Sequence, residues 1–493
     1  MGAIKSLAKD TMVYGLSSIV GRFLNWLLVP LYTNIFSESQ YGVVTYIYAI
    51  TALVLLILIY GMETGFFRFA NHDRYKDPLE VYSTTLISLA VTSSVFFIGV
   101  MCFLPQVSDA LHCAGHPSYI WLMAAVLALD AFTAIPFCYL RYRHRPLRFA
   151  SLKLVSIALN IGSNLFFLLL CPWLQKQFPD MMTWFDMSYG VGYVFLSNFI
   201  SSVVVMLLLI PDLRGFRWRF NLQLWREMVV YSFPLLILGI AGIMNQTIDK
   251  ILLPQLVADK AEAMAEVGIY GANQKIAIVM VMFIQAFRFA YEPFIFAQNK
   301  QKGASKLHAY SEAMKYFVIF SMIIFLAVMF YLPIIRHLIA PDYYSGLKVV
   351  PIVMIAEFFF GVFFNLSLWY KITDKTVWGT WFSLLGLVVT LSLNFLLVPR
   401  MGYMGCAIAS LCCYGVMMVA SWAVGRVKHP IPYPTARLVA YFISTMLLYG
   451  LSLLIATGNE WIDMGIRTVI LVIFLFAVAR IEHLSIRTFI PRR

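Results

Sequence analysis

Charged side chains are scarce in this chain of 493 residues. Asp, Glu, Lys and Arg together make up 12% of it, whereas a soluble domain carries roughly 25%. Hydrophobic residues reach 61%, and the mean hydropathy is +0.80. Because so few charged groups cannot cover the surface of a fold of this size, the composition excludes a water-soluble globular protein. The chain is predicted to lie in a lipid bilayer.

Cysteines and catalytic motifs are equally scarce. The seven cysteines form no C-x-x-C pair and have no spacing to histidine that is typical of a metal site. Cys113 alone lies clearly in a predicted outer loop, so we expect no structural disulfide. H-E-x-x-H, G-x-S-x-G and P-loop patterns are absent. The sequence therefore predicts no metal, no cofactor and no enzymatic activity.

Long apolar stretches fill most of the chain. A bilayer core of roughly 30 Å requires about 20 apolar residues in helical form, because only internally hydrogen-bonded backbone crosses it. We predict fourteen such spans, at 11–34, 42–66, 81–104, 118–140, 149–171, 187–210, 229–254, 267–296, 314–335, 347–370, 378–398, 403–424, 437–456 and 465–484. Pro399 and Gly402 favour a tight hairpin between the eleventh and twelfth spans. No cleavable signal peptide is expected, since Lys5 and Lys9 directly precede a full-length span.

Lys and Arg are distributed unequally between the gaps. Gaps on the side of the N-terminus hold 27 of them and gaps on the other side hold 6. This asymmetry predicts that both termini are cytoplasmic. The net charge of +13 then reflects topology, with anionic lipid headgroups as counter-charge, and requires no nucleic-acid partner.

A faint internal repeat relates the two halves. Residues 13–16 (VYGL) open the first span and residues 230–233 (VYSF) open the seventh, and each is followed by Tyr-Gly at the start of the next span, at Tyr41-Gly42 and Tyr270-Gly271. Two six-span units in the same orientation, with the substrate site between them, are a known transporter layout.

Four stretches carry a family resemblance. They are 14–42 (YGLSSIVGRFLNWLLVPLYTNIFSESQYG), 140–150 (LRYRHRPLRFA), 248–256 (IDKILLPQL) with 268–277 (GIYGANQKIA), and 394–410 (NFLLVPRMGYMGCAIAS). In this order they resemble bacterial polysaccharide-type lipid-linked oligosaccharide flippases of the multidrug/oligosaccharidyl-lipid/polysaccharide exporter superfamily. The likeness covers nearly the whole chain.

The resemblance implies an all-α polytopic membrane protein that works by alternating access. It implies an N-terminal six-helix lobe (1–210), a cytoplasmic connector (211–228), a second six-helix lobe (229–425), and two further helices with a cytoplasmic tail (426–493). The implied cargo is an undecaprenyl-pyrophosphate-linked oligosaccharide repeat unit of O-antigen, capsule or exopolysaccharide, moved from the inner to the outer leaflet of the bacterial inner membrane. Implied partners are the lipid bilayer, this cargo, a polysaccharide polymerase and chain-length machinery.

Ionisable groups inside the spans mark candidate sites. Each costs about 2.5–3.5 kcal/mol at mid-membrane on insertion scales, so it is retained where it lines water or finds a partner. The cavity candidates are Arg22, Asn25, Asn245, Asp249, Lys275, Arg288 and Glu292.

The cationic candidates have both functional and structural interpretations. Arg22 shares a helix face with Asn25, and its guanidinium suits a pyrophosphate or a sugar carboxylate; it equally suits a bridge between helices. Arg288 and Glu292 are spaced i, i+4, so they either contact cargo or neutralise each other. Lys275 either reaches cargo or extends to the outer interface.

The acidic candidates are open in the same way. Asp130 and Glu357 are candidates for ion coupling, because a low-dielectric site favours a neutral carboxyl group; the alternative for each is a hydrogen bond to a neighbouring Ser or Thr. Asp249 and Lys250 point roughly 100° apart, so at most one of them faces a given cavity.

A structural pair is the leading interpretation of Glu63. It lies close to the inner interface, where Arg68 and Arg74 are its expected partners.

Three other functions compete with the oligosaccharide flippase. A membrane-embedded glycosyl polymerase requires clustered carboxylates or histidines outside the membrane, and the outer loop at 172–186 contains no histidine. Cation-coupled multidrug exporters of the same superfamily tend to carry an acidic residue in the first span. This chain has Arg22 there instead. A lipid II flippase also requires a cationic cavity, and the four quoted stretches resemble that branch less.

Overall fold

The structure is a computed structural model that describes residues 20–21, 23–72, 75, 77–213, 215–298, 304–373, 375–455 and 457–482. Helix is the only regular secondary structure within these ranges. Residues 11–19 and Arg22 of the predicted first span lie outside them. The helices of the first part of the chain are α1 Leu28–Ile35, α2 Glu38–Ile59, α3 Met62–Ala70, α4 Pro78–Cys102, α5 Leu104–Ala110, α6 Pro117–Tyr142, α7 Pro146–Leu165, α8 Cys171–Gln177, α9 Gly192–Leu209 and α10 Leu222–Leu256. They are followed by α11 Ala263–Ile276, α12 Ile278–Gln298, α13 Ala304–Phe330, α14 Leu332–Ile335, α15 Val350–Leu366, α16 Leu368–Ile372, α17 Val377–Met401, α18 Tyr403–Lys428, α19 Thr435–Leu453 and α20 Glu460–Ile481.

The helical, membrane-spanning fold is confirmed. Twelve helical segments are long and apolar enough to cross a bilayer, and the bent pair α11–α12 adds a thirteenth. They coincide with the second to fourteenth predicted spans. The chain is therefore an all-α multi-pass membrane protein.

Local signals define where the helices begin. Ser37 and Gln40 form a capping box at α2, each side chain accepting a hydrogen bond from the other's backbone N–H. Asn221 caps α10 by accepting from the N–H of Leu224 at 3.0 Å. Pro78 opens α4, where the missing N–H costs nothing.

Apolar stripes on the surface indicate contact with lipid. Val91, Val95 and Ile98 of α4 are 55%, 64% and 59% exposed, and their spacing places them on one helix face. Such a patch would be unfavourable in water. The bilayer is the solvent that accommodates it.

Three spans are less regular than predicted. The eighth bends by 49° at Ala277, two residues after the polar run Asn273-Gln274-Lys275. Polar side chains can pair with backbone groups that a break releases. The fifth widens into a π-helical turn at Phe166–Leu170, just before Pro172, which has no N–H and would clash with a regular preceding turn. The second breaks after α2, where Gly61 adopts φ +75°.

The predicted hairpin between the eleventh and twelfth spans is present. Gly402, with φ +55°, separates α17 from α18. A Cβ on Gly405 would lie 2.8 Å from the carbonyl carbon of Leu397. Residues eight apart in one helix would be about 12 Å apart along its axis, so the chain reverses here.

The first of two compact units comprises Met1–Ala272 and Ser383–Ser410. Its core joins α3, α4, α6 and α10 around Met62, Phe66, Leu89 and Met228, all fully buried. Tyr82 and Tyr139 stack within it with ring centroids 4.4 Å apart. α10 packs against α2 and α3, so it belongs to this unit by contact, whereas the expected division places it in the second lobe.

The second unit comprises Asn273–Phe382 and Leu411–Arg493. Here α13 packs against α12, α15, α19 and α20, with Phe317, Phe325 and Phe330 fully buried. The lobe boundaries expected from the sequence stay a prediction.

Candidate functional site

The predicted site residues are divided between the two units. The first unit contains Asn25, Asp130, Asn245 and Asp249, and the second contains Lys275, Arg288, Glu292 and Glu357. Arg22 lies outside the described residues, so its predicted role stays a prediction.

Asp249 is held within the protein. Its side chain is 4% exposed; Tyr270 donates a hydrogen bond to Oδ2 at 2.7 Å, and Lys250 Nζ lies 3.3 Å from Oδ1. Lys250 therefore folds back onto its neighbour, although the helix directs the two side chains apart. The carboxylate connects α10 to α11 and has its charge balanced locally.

Asn245 has a similar structural contact. Its Nδ2 donates to the backbone carbonyl of Ser383 at 3.0 Å, and the residue is 5% exposed. Asn245 and Asp249 are four residues apart and share a face of α10. In this conformation that face packs against protein, so both side chains support helix packing within the first unit.

Asp130 has the serine contact that the sequence allowed as an alternative. Ser202 donates to its Oδ1 at 2.8 Å, which joins α6 to α9. The carboxylate is attracted by the positive charge of Lys153. The ammonium group of Lys153 lies 4.1 Å from the centroid of the Phe137 ring. A partly buried carboxyl group with one donor and one cation nearby stays a candidate for ion coupling.

Among the described residues, Glu63 pairs with Arg141 rather than with the expected Arg68. Arg141 NH2 lies 3.8 Å from its Oε2, whereas the guanidinium carbon of Arg68 lies 3.9 Å from the centroid of the Tyr231 ring. Arg74 lies outside the described residues. Arg141 follows Glu63 by 78 positions, a separation at which the sequence carries no signal of contact.

Two cations converge on one aromatic ring in the second unit. The guanidinium carbon of Arg288 lies 4.7 Å from the centroid of the Phe364 ring, and Lys371 Nζ lies 4.4 Å from the same centroid. Arg288 belongs to α12, Phe364 to α15 and Lys371 to α16. Each cation–π contact contributes about 0.5–2 kcal/mol of attraction between the charge and the ring. Two positive charges at one ring in an apolar helix bundle form a candidate anion site, here called the Phe364 site (Arg288, Phe364 and Lys371).

Aromatic packing positions the Phe364 site. Phe287, the neighbour of Arg288, lies 4.9 Å from Phe317 between ring centroids. On α15, a Cβ at Gly361 would lie 2.4 Å from Phe317 Cζ of α13 and 3.0 Å from Ile284 Cγ1 of α12. Since glycine permits this approach, α12 and α15 pack closely enough to bring Arg288 to Phe364.

The remaining candidates are Glu357 and Glu292, which belong to helices of the Phe364 site, and Lys275 and Asn25. Glu357 is half-buried, two helical turns before Phe364 on the same face of α15. Glu292 lies in α12 one turn after Arg288, with its side chain outside the described residues. Lys275 and Asn25 are both exposed.

Sequence reasoning missed Lys371 and Phe364. In the sequence, Lys371 is only an orientation signal, because it follows the predicted end of the tenth span. The signal that would have found it is its distance from Phe364, seven residues, which places both on one face of a continuing helix.

Known proteins support a family and a fold. The family model described as polysaccharide biosynthesis protein matches residues 7–297. Among curated protein sequences, no significant match occurs.

Several solved structures superimpose over most of the chain. The lipid II flippase MurJ in an inward closed conformation matches with a TM-score of 0.72 at 14% identity, covering 96% of this chain and 98% of MurJ. An inward-facing multidrug resistance MATE transporter of the MOP superfamily matches at 0.65 and 13% identity, covering 88% and 98%. A MOP superfamily transporter from Pyrococcus furiosus matches at 0.57 and 14%, covering 87% and 98%. At these identities the likeness establishes a shared fold.

Proposed function

Since this chain belongs to the polysaccharide biosynthesis protein family and has the fold of MOP superfamily transporters, we propose that it is a flippase for lipid-linked oligosaccharide. The cargo is an undecaprenyl-pyrophosphate-linked repeat unit, moved from the inner to the outer leaflet by alternating access. The protein resides in the bacterial inner membrane with both termini in the cytoplasm, and it acts as a transporter rather than an enzyme.

The Phe364 site is the observation that carries this proposal. A pyrophosphate or an acidic sugar carries negative charge that must be balanced when it leaves water. Arg288 and Lys371 offer a fork of donors and a point charge beside the same ring. Charge-assisted hydrogen bonds to both would compensate for the lost hydration.

The sign of this charge also separates the competing functions. Arg288 and Lys371 supply donors for an anionic cargo and no acceptor for a cationic drug, which disfavours the multidrug exporter. A lipid II flippase carries a lipid pyrophosphate of the same sign, so it is the second candidate. Arg22, if it contacts cargo as predicted, would add a third cation.

Substitutions at the Phe364 site test the proposal. In a strain that depends on this protein for surface polysaccharide, Arg288→Ala and Lys371→Ala are each expected to weaken cargo binding about tenfold, since one charge-assisted bond contributes about 1.5 kcal/mol or more. The double variant should abolish export. Lys375→Ala, an exposed cation four residues beyond Lys371, is the matched control and should export normally.

The readouts distinguish function from folding. Membrane levels and thermal unfolding of each variant should equal those of the native protein. Normal polysaccharide export in the double variant would refute the role of the Phe364 site. Rescue of cells depleted of their lipid II flippase would favour the second candidate, and altered drug sensitivity without a change in polysaccharide would favour the exporter.

A further inference from the structure

A separate cavity lies at one end of the second unit. Its volume is about 310 Å³, and it is lined by the end of α15, the start of α16, the last two turns of α18 and the proline-rich segment 429–434. Ser311 donates to the carbonyl of Pro432 at 2.8 Å, which ties this segment to α13. None of the three residues of the Phe364 site lines this cavity, so the two sites are distinct.

Polar atoms without hydrogen-bond partners belong to the residues that line this cavity. Trp369 Nε1, Ser421 Oγ and Tyr433 OH are buried and unpaired; Trp369 is 2% exposed and Ser421 is fully buried. Burial raises the pKa of the Tyr433 phenol above its ordinary value, so this hydroxyl stays a donor at neutral pH. Each unsatisfied group is costly in the folded protein. All three can donate to an acceptor.

A cation completes the lining. Arg426 reaches the cavity from α18, with its guanidinium carbon 5.7 Å from the centroid of the Trp422 ring. Among the described residues of the lining, none is acidic. Gly425 permits the approach of the Trp369 indole, because a Cβ there would lie 2.9 Å from Nε1. Donors and one positive charge surrounding a cavity favour an oxyanion.

We propose that this cavity binds a phosphate-bearing headgroup, contacted by Arg426 and by the donors of Trp369, Ser421 and Tyr433. The expected topology places segment 429–434 at the cytoplasmic surface. Basic pockets between helices on that side bind anionic lipid headgroups, and tryptophans concentrate at the interface. The phosphodiester of an anionic phospholipid is therefore the expected source. The site does not depend on the identity of the transported cargo.

Thermal unfolding of the full-length protein in detergent tests the proposal. Phosphatidylglycerol should raise the unfolding temperature saturably, and phosphatidylcholine should not. Arg426→Gln should raise the half-saturating lipid concentration about tenfold. Lys428 lies two residues further along α18 and does not line the cavity. Lys428→Gln removes a charge of the same sign and should bind lipid like the native protein.

Two more variants test the donors. Trp369→Phe keeps the ring and removes the N–H, and Ser421→Ala removes one hydroxyl; each should weaken binding of phosphatidylglycerol in the same assay. If Trp369→Phe does not fold, Ser421→Ala and Arg426→Gln remain decisive.

A second probe identifies the source of the phosphate. If inorganic phosphate alone raises the unfolding temperature saturably, and Arg426→Gln abolishes this effect, the site has the proposed chemistry and its ligand is soluble. Equal stabilisation by phosphatidylcholine would overturn the proposal, as would identical lipid affinity in Arg426→Gln and Lys428→Gln.

Discussion

Gly42 and Gly268 bring α2 and α11 into backbone contact in the first unit. A Cβ on Gly42 would lie 1.8 Å from the carbonyl oxygen of Met264, and one on Gly268 would lie 1.9 Å from the carbonyl oxygen of Glu38. Small residues that allow such close approach are typical of helix crossings in membranes. The Tyr-Gly pairs noted as a repeat meet at this crossing, since a Cβ on Gly271 would lie 2.6 Å from Thr45 Oγ1.

Alanine at either glycine is expected to prevent this crossing. The obstructing atoms are backbone carbonyls, which cannot move aside like a side chain, so Gly42→Ala and Gly268→Ala should each cost about 3 kcal/mol or more. Thermal unfolding and monodispersity in detergent measure the loss. Gly162→Ala is the matched control, since open space surrounds that position. A native unfolding temperature for Gly268→Ala would contradict the close crossing.

A buried charge network at the end of α20 should make stability depend on pH. Glu482 has a side chain 2% exposed; Lys315 Nζ lies 2.6 Å from it and Tyr441 donates to it at 2.6 Å. Burial by itself raises the pKa of the Glu482 carboxyl, but these hydrogen bonds outweigh it and hold the pKa below its ordinary value of 4.5. Glu482→Gln should cost about 1–3 kcal/mol at pH 7.

The sign of the pH effect follows from that lowered pKa. Glu482 in the unfolded chain takes up its proton first as pH falls, so the stabilisation present above pH 4.5 is lost as pH falls through the folded-state value. The difference in unfolding temperature between the native protein and Glu482→Gln should therefore narrow between pH 6 and about pH 4. A difference that stays constant over this range would contradict the prediction.

Cys113 should be an unreactive thiol. Burial raises its pKa to about 11, whereas an ordinary thiol has a pKa of about 8.5. At pH 8 its alkylation by maleimide should be slower by on the order of a hundredfold, because the thiolate is the nucleophile. The control places a cysteine at the exposed neighbouring position, as Ala114→Cys in a variant that lacks the native cysteines. Its alkylation rate gives the reference for an accessible thiol.

The same control tests orientation. A membrane-impermeant maleimide applied to spheroplasts should label Ala114→Cys rapidly, since the loop is predicted to lie outside the cytoplasm. Labelling only after permeabilisation would reverse the proposed topology.

Asp130 and Ser202 provide a test of ion coupling. Asp130→Asn keeps an acceptor for the Ser202 hydroxyl and removes the titratable group, so we expect at least a tenfold loss of transport driven by a proton gradient with little change in stability. Ser202→Ala removes the hydrogen bond but leaves the carboxyl group, and should retain transport. Equal transport by the native protein and Asp130→Asn in reconstituted vesicles would leave Asp130 a structural role only.

The spans were predictable because the bilayer imposes a local rule. A stretch of about 20 apolar residues must form an internally hydrogen-bonded helix wherever it lies in the chain. Irregularities were predictable only where proline and glycine mark them, as at Gly402. The bend at Ala277 has no such residue, so it was not predicted.

The candidate site was harder to predict, because each ionisable side chain had both a functional and a structural interpretation. Asp249 was expected as a cavity residue, yet Tyr270 and Lys250 hold its carboxylate. Glu63 was expected to pair with Arg68 or Arg74, and among the described residues its carboxylate lies near Arg141 instead. Helical spacing indicates which face a side chain occupies, and it does not indicate which helix covers that face.

Composition and hydropathy by themselves determined that this chain is a helical membrane protein with spans at defined places, since burial of backbone in lipid depends on local sequence alone. Only the tertiary structure decided that Arg288 and Lys371 share the ring of Phe364 and that Trp369, Ser421 and Arg426 line one cavity. Such contacts depend on which helix faces meet, and that is set by packing among residues distant in the chain.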